Sequence, residues 1–280
     1  MPLTPPVVLT IAGFDPSSGA GITADIKTIA AHGCYGLACI TAQTVQSTSG
    51  VKKVEPTDPT WLRESLDALT QDIDIQAVHI GMLGTAKIVR TVVDFLAGAK
   101  PAFTNIVLDP VIRSSSGTPL LDVAGVKLMK EQLLPLAQAV TPNVDEAEQL
   151  TGLKVRDLDG MKNAAAKLNE MGAQAVVITG GHLDKAVDLL SFTTSHGVEQ
   201  EVFRAEKQVS NSTHGTGCAF STAMACHLAQ NRGIAEAALL AKTYVSAAIA
   251  YGHPLGKGTG PVHHLYRMNQ ARRAAGSTGE

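Results

Sequence analysis

The chain has 280 residues, of which 45% are hydrophobic, enough to build one α/β unit with a deep core. Its 23 lysines and arginines against 25 aspartates and glutamates leave a formal charge of −2, which excludes the basic footprint of a nucleic-acid or anionic-membrane binder and points to a small-molecule partner. The four cysteines, Cys34, Cys39, Cys218 and Cys226, form no C-x-x-C pair and are too sparse for a disulfide scaffold, so they read as free thiols of a reducing cytoplasm.

The opening MPLTPPVVLTIAGFDPSSG has no basic start and runs straight into a strand, so no secretory segment is expected. Short apolar runs at 7–12, 36–42, 77–81, 105–109, 139–143 and 175–179 predict strands, with helical spacing between most of them. That alternation predicts a mostly parallel sheet covered by helices on both faces. Gly33, Gly172 and Gly233 follow helical segments as C-caps would. The runs 186–191 and 197–205 flank a polar turn and predict a hairpin late in the sheet. The apolar stretch 234–252 is broken by Glu236 and Lys242, which reads as a buried helix rather than a membrane span. The whole chain, 1–280, reads as one domain, with a fraying tail from about residue 268. His263 and His264 read as surface residues of that tail.

Open parallel sheets bind ligands at the carboxyl ends of their strands. The segments expected there, 13–21, 43–50, 81–84, 109–117, 141–146 and 179–182, are rich in Gly, Asp, Asn, Gln, Ser and Thr. Segment 113–121, RSSSGTPLL, has the composition of a flap. In STHGTGCAFSTA, 212–223, a tight glycine turn passes into a helix at Cys218. Amides at a helix start bind anions, and the same field lowers a thiol's pKa. A small buried cysteine on a helix cap is the alternative. In TPNVDEAEQLTG, 141–152, Asn143 and Glu146 have capping-box spacing, and the same oxygens suit a water-coordinated Mg²⁺ with Asp109 nearby. GHPLGKGTG, 252–260, fails the Walker A spacing, and GFDPSSGAG, 13–21, fails the dinucleotide fingerprint.

Taken in order, AGFDPSSGAGITADIKT, LDPV at 108–111, TPNVDEAEQLTG, TGGH at 179–182 and NSTHGTGCAFSTA resemble the ribokinase-like superfamily. More narrowly they resemble the hydroxymethylpyrimidine/phosphomethylpyrimidine kinases of thiamin biosynthesis, from about residue 7 to residue 265. The resemblance implies a ribokinase-like fold, ATP and Mg²⁺ as cofactors, a pyrimidine substrate and a homodimer. It makes Gly215, Thr216 and Gly217 an anion hole and Cys218 the catalytic base. It assigns Asn143 and Glu146 to Mg²⁺ through water, with Asp109 as acidic partner. Gly13, Asp25, Gln46, Met82 and Val111 fall on the pyrimidine pocket, and Thr179, Gly181, Thr213 and Lys242 on the nucleotide side. The chain departs from these kinases at Thr179, where they carry lysine, and at Ser18, where a glycine is common. The threonine is shared with pyridoxal kinases, so a pyridoxal kinase stands as the alternative activity. A catalytically silent pyrimidine-binding relative is the alternative from another class.

Overall fold

The structure, a computed structural model, describes residues 4–180, 186–205 and 210–268. In chain order the elements are β1 (Val7–Phe14), α1 (Gly21–Ala31), β2 (Tyr35–Ser47), β3 (Gly50–Pro56), α2 (Pro59–Asp72), β4 (Ala77–Ile80), α3 (Ala86–Gly98) and β5 (Ile106–Leu108). They continue with α4 (Val123–Leu128), β6 (Ala139–Val140), α5 (Val144–Thr151), α6 (Leu158–Glu170), β7 (Ala175–Gly180), β8 (Ala186–Thr194), β9 (Gly197–Ala205), α7 (Thr216–Ala229) and α8 (Ile234–Ala250). The nine strands form one sheet in the order β3-β2-β1-β4-β5-β6-β7-β8-β9. Strands β2 through β7 in that order are parallel, while β3 at one end and β8 and β9 at the other are antiparallel additions. The strand order reverses between β1 and β4, which makes the carboxyl ends of those two strands the switch point where such sheets open a crevice.

Period-two alternation sorts the core into two layers. On one face Leu9, Ile11, Val78, Ile80 and Leu108 pack with α2, α3, α5 and α6. On the other, Val8, Ala77 and Val107 meet α7 and α8. Thr10 and His79, direct register partners on β1 and β4, share that second face and lie beneath α7. Their polarity in otherwise apolar strands matters for the site.

The predicted strands and the late hairpin are present, and three details differ from expectation. Segment 43–50 is not a loop: β2 runs on to Ser47 and turns into β3, whose Lys52, Lys53 and Glu55 are exposed on an edge strand. Charged edge strands discourage further pairing, and that polarity hides them from a search for apolar runs. Gly233 is the N-cap of α8, and the left-handed residue after α7 is Asn231, φ 61°. His264 is buried rather than a surface residue, with Val262 and Tyr266 packed into the second core layer around it. The tail beyond residue 268 lies outside the described residues. Among the described residues no helix is long and apolar enough to cross a membrane.

Candidate active site

Helix α7 begins as its sequence predicts. Gly215 caps it at φ 80°, a conformation that suits glycine, and a Cβ there would lie 1.8 Å from the carbonyl oxygen of Gly19. The loop after β1 is thus pressed against the helix start. Cys218 is the third residue of α7, and it sits where the Asp109 carboxylate and the Gly21 amide both act on its thiol. Asp109 follows β5 directly, its own amide bonded to the Ile80 carbonyl at 2.8 Å. Gly217 lies against the same carboxylate: a Cβ on it would be 3.9 Å from Asp109 Oδ2. Thr216 packs back on the preceding turn, its amide and hydroxyl both donating to the Thr213 carbonyl.

The charge state of this pair differs from the expected thiolate. Burial pushes the Cys218 thiol well above its usual range, and the carboxylates of Asp109 and Asp25 push it further. The helix start does not offset two nearby negative charges. Burial also lifts Asp109 to about 6, against the opposing pull of His79. At rest, therefore, Cys218 is held as the thiol beside the Asp109 carboxyl group.

Asn143 and Glu146 do form a capping box at the start of α5. The Glu146 amide donates to Asn143 Oδ1 and the Asn143 amide to Glu146 Oε2, each at 2.9 Å. Glu146 is also buried, and burial followed by the charge of Asp109 raises it to about 8. Two buried carboxylates that repel each other form a donor set which a divalent cation would relieve, so these residues fit a magnesium ion held by carboxylate, water and phosphate oxygens. Among the described residues no group of three or more His, Cys, Asp or Glu side chains is arranged to hold a metal ion by itself.

Thr179 forms a parallel bridge with Asn143, its amide bonded to the Pro142 carbonyl at 3.0 Å, so the ends of β7 and β6 meet beside α5. Lys242 on α8 places its ammonium 2.6 Å from Asp188, the residue opposite Thr179 in the β7–β8 register. The other oxygen of Asp188 accepts the Gly180 amide at 3.0 Å. The lysine's charge is thereby tied to the end of β7. Thr213 is exposed on the loop before α7, and Gly181 lies outside the described residues.

Gly13, Met82 and Val111 are brought together at the β1–β4 switch point. A Cβ on Gly13 would stand 2.8 Å from Met82 Sδ, and Met82 packs with Ala42, Leu120 and Val111. Gln46, on β2, faces the same end, its amide nitrogen 3.3 Å from His214 Nε2. Segment 113–121 folds back on itself through an Arg113–Pro119 bridge, and Thr118 reaches the carbonyl of Val51 on β3.

Asp25 lies elsewhere than the resemblance implies. It is fully buried beneath α7, where its oxygens accept from Thr10 at 2.7 Å and Thr222 at 2.9 Å, so it does not line the pyrimidine pocket. Helix α1 packs against α7, and that contact carries the carboxylate into the interior instead of toward the strand ends.

Two functional candidates were not singled out in the sequence, although both lie inside the quoted motifs. Asp15 gathers the loop after β1 by accepting from the amides of Ser17, Gly19 and Ala20. His214 donates to the same carboxylate at 2.9 Å and touches Gln46. Burial pushes Asp15 upward, but its bonds to His214 and Ser17 outweigh that and leave it below the ordinary aspartate value. Residues 15 and 214 are far apart in the chain, and no local spacing signals their pairing.

The phosphomethylpyrimidine kinase family matches residues 15–263 of the chain. The chain belongs to that family. It is 42% identical over 271 residues to a hydroxymethylpyrimidine/phosphomethylpyrimidine kinase of Streptomyces coelicolor, covering 96% of this chain and 98% of that protein. It is 40% identical to a thiamine biosynthesis bifunctional protein of Geobacter sulfurreducens, covering 95% of this chain but only 53% of that longer relative. Among solved structures, the ADP complex of Bacillus subtilis pyridoxal kinase superposes with a TM-score of 0.84 at 36% identity, covering 94% of this chain and 99% of that one. The ribokinase-like α/β architecture expected from the motifs is thus shared with vitamin kinases of both substrate types.

Proposed function

We propose that the protein transfers the γ-phosphoryl group of ATP to the hydroxymethyl oxygen of 4-amino-5-hydroxymethyl-2-methylpyrimidine, and in a second turnover to the monophosphate, as one kinase domain of the cytoplasm. The observation that carries this reading is the approach of Asp109 to the glycine-led start of α7, where a Cβ on Gly217, next to Cys218, would lie 3.9 Å from Asp109 Oδ2 and helix amides can face an incoming phosphate. Phosphoryl transfer asks the protein for position and charge stabilisation more than for covalent chemistry. The amides of Gly215, Gly217 and Cys218 stabilise charge on the γ-phosphate, while that of Thr216, bonded to the Thr213 carbonyl, does not point to it. As the substrate oxygen bonds to phosphorus and the bond to the ADP oxygen breaks, the hydroxyl proton moves to Cys218 Sγ and the thiol's own proton moves to Asp109. This relay needs no free thiolate, and so fits a thiol that burial holds protonated. Asp109, Asn143 and Glu146 would hold Mg²⁺, partly through water. When bound, the ion offsets charge on the nucleotide phosphates.

Met82 and Val111 give the pyrimidine an apolar wall, while Gln46 offers a donor and an acceptor to its ring nitrogen and amino group. Thr179, Thr213 and Lys242 serve the nucleotide side, the lysine through the Asp188 anchor of β7. Exposed Ile40 and Val45 on β2 supply apolar surface that a homodimer contact would cover. Pyridoxal phosphorylation is the second reading, supported by the Bacillus likeness and by Thr179. An ADP-release assay with ATP and Mg²⁺ over a panel of hydroxymethylpyrimidine, its monophosphate, pyridoxal and no acceptor tests both. ADP formed only without regard to acceptor, or not at all, would exclude both and favour a silent binding protein.

A further inference from the structure

Beneath the start of α7 lies a chain of buried polar groups that the proposed chemistry does not by itself explain. The hydroxyl of Thr10 donates to Asp25 Oδ2 at 2.7 Å and that of Thr222 to Asp25 Oδ1 at 2.9 Å. The Thr10 oxygen is also 3.0 Å from His79 Nδ1, and because its proton is committed to the carboxylate, the imidazole must donate there. At the other side of the ring, His79 Nε2 is 2.9 Å from Ser221 Oγ. The Ser221 hydroxyl has its own acceptors: Asp109 Oδ2 at 3.4 Å and the carbonyls of Gly217 and Cys218 at 3.1 Å. A Ser221 proton given to any one of these three acceptors leaves its oxygen to accept from Nε2. In that arrangement both ring nitrogens carry protons, which makes the ring an imidazolium between Asp25 and Asp109.

We propose that His79 is a positioning residue for phosphoryl transfer, which acts through Ser221 to hold the Asp109 carboxylate beside the Cys218 thiol, while Asp25, Thr10 and Thr222 hold its ring. The inference rests on the reading of Asp109 and Cys218 as the reacting end. A neutral ring with a bare Nε2 would draw the Ser221 proton toward itself and away from Asp109. His79 touches neither phosphate nor pyrimidine, being completely enclosed between β1, β4 and α7. The side-chain alternation of β1 and β4 places Thr10 and His79 side by side facing the helix, which is why a polar pair interrupts two apolar strands.

Two measurements decide the matter. Ser221→Ala removes only the link, and is expected to lower kcat about 10- to 100-fold, the value of one hydrogen bond to a charged group, with the pyrimidine KM unchanged. His79→Gln should do at least as much, and the double variant no more than His79→Gln alone, because both act along one path. Separately, a long-range ¹H–¹⁵N NMR spectrum of the wild type at neutral pH, assigned by the loss of signal in His79→Gln, should show both nitrogens of His79 protonated. Wild-type kcat in Ser221→Ala, additive losses in the double variant, or a singly protonated ring would each overturn the positioning role while leaving the kinase reading intact. A wild type with no acceptor-dependent turnover would instead remove the functional reading, and the positioning role with it.

Discussion

The two ends of helix α7 bury histidines with opposite outcomes. Under its first turns, His79 is fully enclosed, and although burial alone would lower its pKa, the charge and hydrogen bonding of Asp25 and the charge of Asp109 raise it above the usual value. At the other end, His32 and His227 meet edge to face at 4.9 Å, and among the described residues no carboxylate is bonded to either. Burial takes His32 down to about 4 and also lowers His227, against the pull of the Thr28 carbonyl on the first and of Gln230 on the second. The same helix thus has an ionic, hydrogen-bonded end and a neutral one. Burial discharges a histidine unless paired charge outweighs it, and here the paired charge is found where phosphate chemistry is proposed.

Substitutions at the two ends should separate turnover from stability. The largest effect is expected for Cys218→Ala, which should fold and bind ATP but lose turnover by roughly 10²- to 10⁴-fold, the range for a positioned acid–base group. Near-normal kcat would make Cys218 a packing residue and dissolve the functional half of the contrast.

Gln46, which lies beside His214 at the same end, should govern choice more than rate. An unpaired polar edge costs about 1–3 kcal/mol, so the wild type should prefer hydroxymethylpyrimidine over pyridoxal by about 10- to 100-fold in kcat/KM, and Gln46→Leu should shrink that preference. A preference unaltered in the variant would place ring recognition elsewhere.

Glu146→Gln should raise the Mg²⁺ concentration for half-maximal rate by about tenfold, since one of two carboxylates is neutralised, about the value of one hydrogen bond to a charged group. Melting temperature should change little, because the amide still accepts the Asn143 amide. Lost stability with unchanged metal dependence would reduce this pair to its capping box.

The neutral end predicts a pH effect of defined sign. His32 binds its proton near 6.5 when unfolded but only near 4 when folded, so no stability is lost above 6.5 and it falls as pH drops between those values. At pH 5 this group alone costs about 2 kcal/mol. His32→Leu should therefore keep wild-type kcat and flatten the acid side of the stability profile, read by denaturant titration at several pH values. An unchanged profile would show that the two ends do not differ in charge. His79 has the opposite sign: its contribution is present below the unfolded value and fades as pH rises through the raised folded one.

How much of this was legible in the sequence follows from the range of each interaction. The central strands announce themselves because burial on both faces demands continuous apolar runs, as in Val7–Phe14. The capping box and the glycine-led start of α7 were legible because their partners lie within a few residues. Strand β3 was missed because an exposed charged edge looks like a loop, although Val51 and Val54 do pack toward Met82. Asp25 was misplaced, and His79, Asp15 and His214 were passed over, because their partners lie on other elements and only folding brings them together. The charge of Cys218 was misjudged for the same reason: the helix start is local, but Asp109 and Asp25 arrive from distant strands and helices.

The most direct test of the central claim is an internal competition. Wild-type protein is given equal amounts of hydroxymethylpyrimidine and pyridoxal with limiting ATP and Mg²⁺, and the products are followed by mass spectrometry, so that the product ratio reads the ratio of kcat/KM. The account predicts pyrimidine monophosphate first, its diphosphate later, and little pyridoxal phosphate. Pyridoxal phosphate as the equal or dominant product would contradict it.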